Sequence, residues 1–418
     1  MKFLKPKSEF SRNVLTLMTG TTIAQAIPIA ISPILTRIYT PEDFGVFALY
    51  VAIASILSVV ATGRYEMAIM LPKKDEDAIN IVALSIAISF FVSFISFLIV
   101  FIFNTQITEL LGNQEISNWL YFIPVTVLLT GIYQSFNYWF NRNKDYQELS
   151  KNKVYQSSTT VGVKLASGVW NFGAMGLIFG TLSGHMLAVI LLIKKYFTKN
   201  KKYKISYHKM VAISKRYKDF PKHSMPTAFL DVISMNTPAY MLSKFFSIQT
   251  LGYYSVAYQM LQMPSALIAN AFSQVFYQKF NELSGKPTEQ ISFILNIWKK
   301  LFFIGFIPFT TIFLFGEDIF AFVFGSKWIE AGKIASYLSI MIFFMFISSP
   351  TSSAFTVLRM QKIGLYFGLA VLIYRPLAFF IGYYFADFWF GLKILVIIEL
   401  LQIGLYNYFI VKKIRGLK

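Results

Sequence analysis

The sequence predicts an all-α, polytopic membrane protein, and three observations carry that prediction. First, 56% of the 418 residues are hydrophobic and only 14% are charged, whereas soluble proteins carry roughly 25% charged residues. Second, the apolar residues come in runs. Residues 78–108 hold no charged side chain, and about 20 apolar residues suffice for a helix to cross a bilayer. Third, the cations alternate between the connections in the way a membrane topology requires. Every lipid-exposed backbone group must be paired internally, which selects helices, and the ~10-residue alternating segments of a transmembrane barrel are absent. A soluble enzyme, a disordered chain and a nucleic-acid-binding domain are excluded.

Apolar stretches predict twelve spans, near 13–36, 44–63, 79–103, 117–140, 154–171, 174–193, 223–243, 251–277, 292–315, 334–357, 363–385 and 389–411. The first follows a basic stretch, and Ala24-Gln25-Ala26 has the form of a signal-peptidase site. The preceding segment is rich in Thr and Gly and the apolar run continues to Ile38, so it is read as an uncleaved helix. The fifth span is the most polar, with Gln156, Ser157 to Thr160 and Lys164, and must face protein or water. The ninth starts with Lys299 and Lys300, whose turns protrude into the headgroup layer.

Of the 39 Lys and Arg residues, 32 fall in the N-terminus, the even-numbered connections and the C-terminal tail. The other connections hold four: Arg37, Lys244, Lys327 and Lys333. Both termini are therefore expected in the cytoplasm. The net charge of +19 is read as this topological signal, not as nucleic-acid binding. Residues 194–222 carry eleven cations and are expected to lie against anionic headgroups. There are no cysteines, and His185, His208 and His223 show no metal-ligand spacing, so no cofactor or metal is expected. No enzyme motif is present.

The chain also repeats. LTRIYTPEDFG (35–45) ends the first span and opens the second, and LSKFFSIQTLG (242–252) does the same for the seventh and eighth, without gaps at an offset of 207. Thr40-Pro41-Glu42-Asp43 reads as a helix N-cap followed by acids in the first turn. Six spans separate the copies, so the halves are parallel repeats. The expected organisation is a six-helix lobe over 1–193, a basic linker over 194–222 and a second six-helix lobe over 223–418.

PILTRIYTPEDFG (33–45) and RYEMAIMLP (64–72) resemble the N-terminal signature of bacterial polysaccharide-biosynthesis flippases. These are the Wzx-type O-antigen and capsule flippases of the multidrug/oligosaccharidyl-lipid/polysaccharide exporter superfamily. The resemblance implies two lobes around a central cavity, in the manner of the MATE-like exporters. It also implies transfer of undecaprenyl-pyrophosphate-linked oligosaccharide from the cytoplasmic to the outer leaflet of the bacterial inner membrane. The implied partners are that glycan lipid, the bilayer, a coupling proton or sodium ion, and a polysaccharide polymerase with its chain-length regulator.

Such a cargo needs a cationic, wet passage with sugar-binding hydroxyls and amides. Few charges lie deep in the spans: Lys164, Asp231, Arg375 and Glu399, with Lys393 nearer an end. Each costs roughly 2.5–3.5 kcal/mol at a lipid-facing midplane, so each should face the interior. Lys164 and Arg375 fall in repeat-equivalent spans, and either both bind pyrophosphate or Arg375 simply pairs with Glu399. Gln25, Asn137, Gln156, Asn270 and Gln274 are candidate sugar contacts. Asp231 and Glu399 are candidates for ion coupling, and Pro28, Pro238, Arg64 and Glu66 for gating. Rival functions are multidrug export, lipid II export and membrane-enzyme chemistry. The basic mid-span charges disfavour the first, the count of twelve spans the second, and the short outer connections the third.

Overall fold

The structure, a computed structural model, describes residues 9–198 and 203–416; the side chains of residues 9–15 and of Gln274 lie outside the described part. The described residues form helices and no strand. Twelve helices have twenty or more residues, and we number them α1–α12. In the first half they are α1 (Glu9–Ile38), α2 (Pro41–Val60), α3 (Asp75–Leu111), α4 (Ile123–Arg142), α5 (Tyr146–Val169) and α6 (Ala174–Thr198). In the second they are α7 (Met225–Phe245), α8 (Ile248–Glu282), α9 (Pro287–Phe324), α10 (Ile329–Ser348), α11 (Gln361–Tyr384) and α12 (Phe388–Arg415). Nine of them are long and apolar enough to cross a membrane. The exceptions are α5, α7 and α8, which carry several polar residues together with Lys164 on α5 and Asp231 on α7. Such helices need a protein or water face.

The chain divides into two compact units, 1–236 and 237–418, and the division falls inside α7. Within the first unit α3 packs on α4, α2 on α4, α5 on α6 and α4 on α6. Within the second, α9 packs on α10, α8 on α10, α11 on α12 and α10 on α12, the same pairs six helices later. The 207-residue offset is visible in the backbone. α1 ends at Ile38 and α7 at Phe245; α2 starts at Pro41 and α8 at Ile248. Both turns close identically, with Tyr39 N donating to Leu35 O (2.8 Å) and Phe246 N to Leu242 O (3.1 Å). Both second helices are N-capped by a hydroxyl, Thr40 accepting from Asp43 N and Ser247 from Thr250 N. At Thr40 the Asp43 carboxylate also accepts from the cap's backbone N–H, completing a capping box.

The third helix of each unit is the longest, 37 and 38 residues, and each breaks near its end. The non-helical residue is Phe103 (φ −112°, ψ 19°) in α3 and Phe315 (φ −124°, ψ 22°) in α9. Several helices overrun their expected spans because an amphipathic helix continues past the hydrocarbon. α5 begins at Tyr146, eight residues before the expected 154, through Glu148, Lys151 and Lys153.

Part of the basic linker is itself folded. A short helix, Tyr207–Arg216, lies on α3. Asn80 holds its entry, accepting from Ser206 N (2.9 Å) and donating to Lys204 O (3.1 Å). Lys209 pairs with Glu76 at 2.8 Å, and Tyr65 donates to Ser214 O at 3.0 Å.

The two prolines of α1 free carbonyls four residues earlier, and hydroxyls occupy both. Ser157 of α5 donates to Ala24 O (2.6 Å) and Ser32 to Ile29 O (2.7 Å). α5 and α6 approach closely because Gly180 and Gly184 lack side chains: a Cβ on Gly184 would sit 2.7 Å from Gln156 O and against the Thr160 side chain. Gly184→Val should therefore destabilise the first unit by about 1–3 kcal/mol through overpacking. A fluorescence-detected melt of the solubilised variant checks this; an unchanged midpoint would show that the helices separate at no cost.

Candidate functional site

In the first unit, α2, α4, α5 and α6 bring together a polar cluster around Lys164. The Tyr39 hydroxyl donates to Lys164 O at 2.6 Å, pinning that turn of α5 to the end of α1. Gly180 makes room for the Lys164 stem. The Lys164 ammonium lies 4.2 Å from the centroid of the Phe47 ring on α2, a cation–π contact. It has no carboxylate partner among the described residues. His185 of α6 lies within its electrostatic reach, and its Nδ1 is 2.9 Å from Thr181 O. A carbonyl can only accept, so Nδ1 carries the proton and Nε2 is left for another partner. Tyr133 meets the His185 ring edge-on at 6.5 Å, and Asn137 Nδ2 reaches the Tyr133 hydroxyl at 3.5 Å. Gln156 is half-buried on α5.

In the second unit Arg375 is committed. Its Nε donates to Glu399 Oε1 at 2.7 Å, joining α11 to α12. Glu399 is only 5% exposed. Tyr254, Tyr258 and Tyr374 lie within the electrostatic reach of the pair, and the first two stack at 6.0 Å. Of the two expectations for Arg375, pairing with Glu399 is therefore the contact present. The depths also differ from the sequence reading. Arg375 is mid-way along α11, but Lys164 lies five residues from the end of α5, which closes at Val169, two residues before the expected 171.

Arg64 and Glu66 form an ion pair at 3.6 Å, in which Glu66 is 2% exposed and also accepts from Thr62. The turn that presents them is tight, with left-handed backbone at Gly63 (φ 59°) and Arg64 (φ 62°). Pro28 and Pro238 sit inside α1 and α7, neither of which is broken. Gln25, Asp231 and Asn270 are exposed, and Asp231 makes no side-chain hydrogen bond or ion pair among the described residues. The Gln274 side chain lies outside the described residues.

Sequence reasoning missed His185, Phe47 and the tyrosines around Arg375. His185 has no metal-ligand spacing in the sequence, although Thr181 and His185 share a helix face at i, i+4. The same spacing in Tyr254 and Tyr258 was the available signal in α8. No group of three metal-ligating side chains occurs among the described residues.

A family model described as "Polysaccharide biosynthesis protein" matches residues 34–333. The chain is 19% identical over 284 residues to the teichuronic acid biosynthesis protein TuaB of Bacillus subtilis, covering 68% of this chain and 58% of that protein. It is 19% identical over 319 residues to the succinoglycan biosynthesis transport protein ExoT of Rhizobium meliloti, covering 74% and 61%. The matches thus span about six tenths of each relative. Among solved structures, a multidrug resistance MATE family transporter of the MOP superfamily superposes with a TM-score of 0.74 at 15% identity, covering 96% of this chain and 95% of that one. The lipid II flippase MurJ superposes with a TM-score of 0.72 at 13% identity, covering 97% and 89%. At these identities the likeness is one of fold.

Proposed function

Because this chain belongs to the polysaccharide biosynthesis protein family, we propose that it is a flippase. Its cargo on this reading is an undecaprenyl-pyrophosphate-linked oligosaccharide, moved from the cytoplasmic to the outer leaflet of a bacterial inner membrane by alternating access. Both termini lie in the cytoplasm, the side of the cation-rich connections.

The observation that carries the reading is Lys164, an embedded ammonium with an aromatic face beneath it and no carboxylate among the described residues to neutralise it. A desolvated cation without a fixed counter-charge is costly, and an anionic cargo supplies the missing charge each time it enters. A site for lipophilic cations would need the opposite sign. We assign Lys164 to the phosphate oxygens, with the His185 acceptor, Tyr133, Asn137 and Gln156 towards sugar hydroxyls. Arg375 and Glu399 are assigned to each other, holding α11 on α12. Asp231, exposed on α7, is the candidate left for coupling to a proton or sodium ion. Arg64–Glu66 is the candidate cytoplasmic gate, with Pro28 and Pro238 shaping the first helix of each half.

Deletion of the gene is the test. Surface polymer should disappear while the lipid-linked repeat unit accumulates on the cytoplasmic side, with glycosyltransferase activity intact. Persistent surface polymer in a strain without another flippase, together with new sensitivity to cationic drugs, would replace this reading with multidrug export.

A further inference from the structure

Most of the 39 cations sit where topology wants them. A pair on the cation-poor side does not, and the fold brings the two together. Lys333 lies in the first turns of α10 and Lys393 in the first turns of α12, the ends opposite the basic connections. The Lys333 ammonium is 4.5 Å from the centroid of the Trp389 ring. The Lys393 ammonium is 5.8 Å from that of Tyr337. The two rings lie 5.6 Å apart at 44°. Neither lysine is in an ion pair among the described residues. Glu330 lies three residues before Lys333 in the first turn of α10 and forms no ion pair with it among the described residues. Asp387, six residues before Lys393, is engaged in capping α12, accepting from Trp389 N (2.8 Å) and Phe390 N (3.2 Å).

An interfacial aromatic belt explains a Trp and a Tyr at this depth but not two cations, which oppose the orientation signal. The repeat gives an internal comparison. The equivalent ends of α4 and α6 carry an aromatic pair, Phe122 and Phe179 at 5.1 Å. Their first cations, Arg142 and Lys194, are at the far ends. The fold therefore stands without the lysines, and one unit alone has them. Flat aromatic faces suit the C–H faces of sugar rings, and paired ammonium groups suit an oxyanion.

We propose that Lys333, Trp389, Tyr337 and Lys393 form a receiving site for an anionic glycan headgroup at the cation-poor end of the second unit. This rests on the flippase reading above: it is where the cargo is held after crossing. The anion is either the carrier's phosphate or an acidic sugar, and the test separates them.

Purified full-length protein is titrated with inorganic pyrophosphate, with a soluble oligoglucuronide and with a neutral dextran oligosaccharide, following the tryptophan emission lost in Trp389→Phe. Saturable quenching by an anionic probe and none by dextran is expected, and Lys333→Gln/Lys393→Gln should weaken it about tenfold or more. Response to pyrophosphate alone assigns the phosphate; response to the glucuronide assigns an acidic sugar. Lys333→Arg/Lys393→Arg should retain binding, which separates lost charge from misfolding. In cells, the double Gln variant should reach wild-type membrane levels yet display less surface polymer. No saturable response to either anion, or unchanged affinity in the double Gln variant, overturns the site. The flippase reading falls separately, if gene deletion leaves surface polymer intact.

Discussion

Arg375→Ala should leave little folded protein in the membrane. The substitution strands the Glu399 carboxylate, buried between α11 and α12 and held by the Arg375 guanidinium at 2.7 Å. Removing one member of a buried pair costs about 3–5 kcal/mol, because the remaining charge stays desolvated. Protein level after membrane fractionation, and the melting midpoint of what remains, measure the effect. Arg375→Ala with Glu399→Gln removes both charges and should restore the level, since replacing a whole buried pair is close to neutral. Surface polymer should return with the protein. A double variant that inserts normally and yet displays no polymer would put Arg375 back on the substrate path.

Lys164→Met should do the reverse, keeping the protein and losing the function. No carboxylate among the described residues is stranded when this ammonium goes, and the methionine fills the same space beside Phe47 and Gly180. Stability should hold or rise slightly, as a desolvated charge has been removed. A charge-assisted contact to phosphate contributes about 1.5–3 kcal/mol, so transport should fall by roughly ten- to a hundredfold. Lipid-linked intermediate should accumulate on the cytoplasmic side. Lys164→Arg should retain part of the activity, because charge survives while the geometry changes. Wild-type polymer from Lys164→Met would remove Lys164 from the cargo's path and, with it, the observation on which the proposed function chiefly stands.

The candidate site was legible only in part, and the residues show why. Lys164, Asp231, Arg375 and Glu399 stand out in a sequence because charge inside an apolar run is expensive wherever it points. Whether such a charge is already neutralised is not a property of its own segment. Arg375 and Glu399 are 24 residues apart on different helices, and the crossing of α11 over α12 puts them in contact. Lys164 and Phe47 are further apart still, joined because Gly180 lets α5 and α6 close up while Tyr39 ties α5 to α1. The i, i+4 spacing of Thr181 and His185 was local, but the nearness of His185 to Lys164 on another helix was not. Lys333 stood out as a cation on the cation-poor side and Lys393 as a charge near the end of its span, but nothing in the sequence marked them as neighbours.

The sequence alone determined the solvent, the helices and the repeat. Twenty-residue apolar runs can satisfy their backbones in hydrocarbon only as helices, and charge is costly enough there to set the connections. The cap of α2 could be read from Thr40-Pro41-Glu42-Asp43 because N-capping is local, closing within three residues. Its repeat at Ser247 followed from the same offset. Tertiary structure alone decided helix ends beyond the hydrocarbon, the folding of Tyr207–Arg216 onto α3, and the partner of each embedded charge. Those outcomes depend on packing between segments distant in sequence, where a missing Cβ at Gly180 or Gly184 sets which side chains can meet.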